Sequence, residues 1–135
     1  MVTLAISGVV ADGSGSWVPV PQRIRCVRGE DMEIVLTLTK SDGSVFNPTG
    51  STLSLAVRPK NTIGAADGTP LIARSATIVD AAAGKVKFTI SSADTLDWRE
   101  RKTYRYDVNL RDTALLRYQV VPESEWWLAP VVSTP

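Results

Sequence analysis

The feature that most constrains this chain is a period of two. From Met32 to Lys40 the residues alternate, with Met32, Ile34, Leu36 and Leu38 on one side and Glu33, Val35, Thr37 and Thr39 on the other. Successive side chains of a strand point to opposite faces, so this pattern makes a strand with one face in a core. The alternation returns at 52–58, with Leu53, Leu55 and Val57 inward. It returns again at 85–90, with Val86, Phe88 and Ile90, and at 103–111, with Tyr104, Tyr106, Val108 and Leu110. Between these runs lie turn formers: Ser41-Asp42-Gly43-Ser44, Asn47-Pro48-Thr49-Gly50 and Asp80-Ala81-Ala82-Ala83-Gly84. Residues 71–79 read as one further strand forming a hairpin with 85–90, and 115–121 and 126–132 read as the last two. Many short strands at this spacing predict an all-β sandwich or barrel. Residues 91–98 read as a short helical turn with a serine cap.

The N-terminal stretch is different. Val2 to Val10 is strand-like, a Gly/Ser-rich loop follows at 11–16, and Trp17-Val18-Pro19-Val20-Pro21 is extended because each proline biases its predecessor away from helix. Residues 1–22 therefore read as an arm or hairpin leaving the domain, and residues 23–135 as the sandwich. A chain of 135 residues suits one such domain.

Composition limits the chemistry. The chain has no histidine, which removes the commonest general base and the commonest transition-metal ligand. Its one cysteine, Cys26, has no partner for an intramolecular disulfide, and reads as a small apolar residue on a strand. A bacterial cytosolic setting suits that better than a disulfide-stapled secreted domain. A net charge of +1 offers no broad attraction to nucleic acid or to an anionic membrane. The N-terminus lacks the basic and apolar regions of a signal peptide, and no apolar run reaches membrane-spanning length. No phosphate loop, dinucleotide fingerprint or nucleophile elbow is present. The reading is a non-enzymatic protein with no catalytic residues, no metal and no cofactor.

Candidate contact residues are few. Trp126 and Trp127 are adjacent, so in a strand they face opposite ways: one enters the core and the other meets a partner or a loop. Trp17, with Val18 and Val20, sits in the extended N-terminal segment, where a bulky ring gains little unless something covers it. Arg99 and Arg101 cluster with Lys102 and Arg105, while Arg111 and Arg117 follow on later strands; acids are interleaved, so ion pairs within or between subunits are expected. Glu30, Asp31 and Glu33, and Asp94, Asp97 and Glu100, read as solvated surface charge.

Several of these elements, in order, resemble a small immunoglobulin-like domain of tailed-bacteriophage structural proteins, found in upper-baseplate, fibre-attachment and head accessory proteins. The matching residues are Arg28-Gly29-Glu30-Asp31 before an alternating strand, Asp42-Gly43, Asn47 to Thr52, Thr77 to Val86, Ser91 to Leu96 and Tyr104-Arg105-Tyr106-Asp107-Val108. They cover roughly residues 24–121. The chain departs from the pattern at Arg111-Asp112-Thr113-Ala114-Leu115-Leu116, where the family usually has an Asp-Gly turn. The resemblance implies an immunoglobulin-like antiparallel β-sandwich that binds other virion proteins, as a homo-oligomer in the particle, assembled in the bacterial host cytoplasm. The lack of a fibre or coiled coil after the sandwich tilts the expectation towards a capsid decoration or head accessory protein. A tail or baseplate adaptor and a carbohydrate-binding module are the alternatives.

Overall fold

A computed structural model describes residues 2–59, 70–95 and 103–129. Among these residues, nine strands and one short helix follow in the order β1 (Val2–Val10), β2 (Ile24–Val27), β3 (Met32–Lys40), β4 (Thr52–Pro59), β5 (Ile72–Ser75), β6 (Thr77–Asp80), β7 (Lys85–Ile90), α1 (Ser92–Thr95), β8 (Thr103–Arg111) and β9 (Arg117–Ala129). They form a four-stranded sheet, β1-β3-β7-β6, and a five-stranded sheet, β2-β9-β8-β4-β5. The all-β sandwich expected from the alternation is present.

The inward positions are those the period of two assigns. Ile34, Leu36, Leu38, Val86, Phe88 and Ile90 of the first sheet face Leu55, Val57, Tyr106, Val108, Trp126 and Leu128 of the second, all fully buried. Trp126 and Tyr106 meet edge to face, with ring centroids 5.8 Å apart. Gly8 of β1 lies close to β9 of the other sheet. A Cβ there would lie 3.2 Å from both Leu36 Cδ1 and Val120 Cβ, so the position has room for no side chain without displacement.

Three expectations are corrected. First, the sheets are mixed, not antiparallel throughout: β1 pairs parallel with β3, and β2 pairs parallel with β9. Residues 2–10 are therefore neither an arm nor half of a hairpin. They form an edge strand of the sandwich, because Ile6, Gly8 and Val10 bury one face in the core. Second, the run at 71–79 is two strands: β5 pairs with β4 in one sheet and β6 with β7 in the other. The chain changes sheet at Ala76, whose N–H bonds to the Leu53 carbonyl at 3.0 Å. Third, β9 is continuous from 117 to 129. Its pairing with β8 shifts register twice between Tyr106 and Asn109. These bulges let the adjacent Val120 and Val121 both point inward, which a regular strand forbids.

Gln22 ties the crossing from β1 to β2 to both sheets. Its side-chain oxygen accepts the Ser7 N–H at 2.8 Å, and its side-chain nitrogen donates to the Ser7 carbonyl. The amide thus pairs with the free edge of β1 as a neighbouring strand would. Its main chain bonds to the other sheet: the Gln22 N–H donates to Ser124 Oγ at 3.0 Å, and its carbonyl accepts the Tyr106 hydroxyl. Burial pushes the Tyr106 phenol up to about 12, partly opposed by a hydrogen bond with Ser124. A raised phenol contributes stability that is whole below the unfolded value near 10 and is lost as pH rises towards 12.

Two outcomes follow. Gln22→Leu keeps the bulk but leaves the Ser7 edge groups to water, costing about 0.5–1.5 kcal/mol in urea denaturation. Stability of the natural chain should fall on raising pH above 10, and Tyr106→Phe should flatten that fall; an unaltered alkaline limb in this variant would remove the phenol as its cause.

Candidate protein-interaction site

Residues 11–23 carry the chain from one sheet to the other, and their course is set by short-range polar contacts. Asp12 accepts the Ser14 N–H at 3.1 Å and the Ser14 hydroxyl at 2.6 Å, closing a turn. Asp42 does the same for Ser44, at 2.9 and 2.5 Å. Hydrogen bonds from these serines hold both carboxyls below their ordinary range. The two turns lie side by side. The Trp17 N–H bonds to the Ser41 carbonyl at 2.9 Å, and the buried Ser41 hydroxyl donates to the Val10 carbonyl at 3.3 Å. The Trp17 ring lies against Gly43, where an added Cβ would come within 3.2 Å of it.

This pinning turns the segment into a ledge over the outer face of the first sheet. Below it, Ser7 and Val9 of β1 and Thr37 and Thr39 of β3 form a floor, with Ser16, Trp17, Val18 and Val20 as the wall. The groove encloses about 450 Å³. Trp17, Val18 and Val20 are 55%, 62% and 53% exposed. Three large apolar side chains held open to water on a fixed backbone form a surface that gains by being covered. None of the described residues at its wall or floor is an acid or a base.

The tryptophan pair divides as strand geometry requires. Trp126 is wholly inside the core and unavailable to a partner, whereas Trp127 lies on the outer face of the second sheet. The guanidinium carbons of Arg23 and Arg25 sit 5.1 and 5.3 Å from the Trp127 ring centroid, and Arg23 also pairs with Glu125 at 3.3 Å. Which of the two rings turns inward follows from register: Trp126 is opposite Ile24 and Tyr104, both inward residues. A sugar platform needs an open aromatic face, and Trp127 is already capped by two arginines. Arg99 and Arg101 lie outside the described residues, as do Trp98, Asp97 and Glu100.

Several of the other charged candidates have structural partners. Arg58 pairs with Asp107 at 3.7 Å, Arg105 with Glu123 at 2.9 Å and Lys87 with Glu33 at 3.3 Å. Burial raises the Asp107 carboxyl, with Arg58 opposing it. Asp94 pairs with Arg74 and accepts the Ser91 N–H at 2.8 Å; burial alone would raise this carboxyl, but the Ser91 and Arg74 hydrogen bonds prevail and lower it. Asp31 accepts the Ser92 N–H at 2.6 Å. Among the described residues no three His, Cys, Asp or Glu side chains gather as metal ligands would. Burial pushes the Cys26 thiol up to about 11, with the Trp126 indole opposing.

These strands and their pairing define a two-sheet, all-β sandwich with an apolar ledge on one outer face. Among solved structures, the chain is similar to the N-terminal domain of phage TP901-1 ORF48, at 13% sequence identity and a TM-score of 0.52, over 96% of this chain and 99% of that one. The likeness is one of fold, and its coverage extends beyond residues 24–121, to which the residue-level resemblance is confined. No family model matches the chain. No curated protein matches it in sequence.

The tryptophans give a direct check. Trp126→Ala should cost about 3–5 kcal/mol of folding stability, while Trp17→Ala, at a half-exposed ring, should cost about 1 kcal/mol or less. Cys26 in the native protein should react with iodoacetamide at pH 8 only at the rate of unfolding, and fast labelling without denaturant would show the thiol is not sealed.

Proposed function

We propose that this chain is a non-enzymatic structural protein of a tailed-phage particle, placed in the tail or baseplate as an adaptor, in several copies, that binds neighbouring virion subunits. The observation that carries the reading is the Trp17-Val18-Val20 ledge, an apolar surface held in a fixed shape and left uncovered. The fold lends support, being like that of a domain from a phage protein. In that protein the fold forms an N-terminal domain, and the adaptor reading follows that likeness. A standard protein interface buries about 1,600 Å² in all, so the ledge would form its centre, with the surrounding Ser and Thr residues as rim.

The test uses particles grown with the triple variant Trp17→Ser, Val18→Ser, Val20→Ser. The variant should fold, with a melting midpoint within a few degrees of the parent, yet be reduced at least about tenfold in purified particles measured by quantitative mass spectrometry. Full incorporation would refute the ledge as the contact. Separating heads from tails on a density gradient decides placement: recovery with tails is expected, and recovery with heads would replace the adaptor by a capsid decoration protein.

A further inference from the structure

The outer face of the second sheet matches its charges with care, except at one end. Arg23, Arg58 and Arg105 each reach a carboxylate, and Arg25 lies over Trp127. Arg111 of β8 and Arg117 of β9 instead stand directly opposite one another in the ladder. Like charges at facing positions weaken strand pairing. Neither guanidinium has an ion-pair partner among the described residues. Nearby acids are committed elsewhere: Asp107 to Arg58 and Gln119, and Asp112 to the N–H groups of Ala114 and Leu116, at 3.0 and 2.8 Å.

The two arginines border a depression of about 490 Å³ whose polar lining is completed by Thr52, Ser54, Ser75 and Asn109. Beside it, the β8–β9 turn projects Leu115 and Leu116, 66% and 56% exposed. Leu115 has φ of 63°, a left-handed backbone that disfavours a branched side chain. The Asp112 hydrogen bonds to the neighbouring N–H groups hold it there. The chain thus keeps two unfavourable arrangements side by side, an arginine facing an arginine and a leucine where glycine fits better. Both place binding groups at one spot, and strain of this kind gathers at functional sites.

We infer that this end of the sheet is a second binding site, and that it takes an extended acidic segment of a partner protein. A carboxylate fits between the facing guanidiniums, whose planar forks bind it in a bidentate manner. The hydroxyls and the Asn109 side-chain oxygen serve the segment's main chain, and an apolar side chain next to the acid packs on Leu115 and Leu116. A nucleic acid is disfavoured, because two arginines make no continuous basic track and Asp107 lies four residues from Arg111 on the same strand face. The site is distinct from the Trp17 ledge and needs no assumption about where in a particle the chain sits.

Fluorescence anisotropy with the full chain tests this, using a labelled peptide of repeated Glu-Leu-Ser-Gly units. Saturable binding is expected, weakened at least about tenfold when Gln replaces Glu in the peptide, when Ser replaces its Leu, or in the Leu115→Gly/Leu116→Ser variant. Arg111→Glu separates function from folding. It should abolish peptide binding while raising the melting midpoint by about 1–4 °C, since it converts a like-charge pair into an opposite one. The proposal is overturned by no binding of the Glu-Leu peptide, by oligothymidylate binding as tightly as the peptide, by unchanged affinity in Arg111→Glu, or by a lowered midpoint in that variant.

Discussion

The sandwich depends on a glutamine amide that stands in for a strand. β1 is an edge strand, and the backbone groups along such an edge need a partner or water. Gln22 supplies both a donor and an acceptor to Ser7, while its own main chain is bound to Ser124 and Tyr106 of the opposite sheet. One residue therefore fixes the spacing of two sheets at their open corner. It also fixes where the crossing segment ends, which leaves residues 16–20 nowhere to lie except across the outer face of β1 and β3. The ledge is a by-product of that route: the prolines at 19 and 21 keep the segment extended, the bond from Trp17 to Ser41 anchors its start, and Gln22 anchors its finish.

What could be seen in the sequence was what is local. β3, β4, β7 and β8 are half-buried strands, so burial wrote a period of two into them, and their inward residues were readable one by one. The opposed facing of Trp126 and Trp127 was readable for the same reason, although which ring turned inward needed the register with Ile24 and Tyr104. Pairing between distant segments left no such trace. Nothing in Val2 to Val10 states that its neighbour is Met32 to Lys40 or that the two run parallel. The change of sheet at Ala76 was hidden because both halves of 71–79 have strand-like residues, and the exposed Ile78 and Val79 of β6 look apolar enough to be core. In the sequence Gln22 is an ordinary polar residue, and a long amide just before an apolar strand and after two prolines does not by itself mark a sheet-edge partner.

The two outer faces differ in kind. That of the first sheet carries uncharged Ser7, Val9, Thr37 and Thr39 beneath the ledge, with the Lys87–Glu33 pair farther along it. That of the second is a lattice of arginines and carboxylates, with the Trp127 ring at one end and the facing arginines at the other. Desolvating the first face costs little and is rewarded by area; contacts on the second are selective because each uncompensated charge must be met. A protein with both can hold one neighbour by fit and discriminate another by charge.

The parallel pairing of β2 with β9 has a mechanical meaning. β2 lies early in the chain and β9 near its end, and because they run the same way, the end of β2 nearer the N-terminus and the end of β9 nearer the C-terminus lie at opposite ends of the shared ladder. Tension applied between residues 23 and 129 therefore slides these strands past each other. All the hydrogen bonds of the ladder bear such a load together, whereas an antiparallel hairpin pulled from its open end would release them one after another.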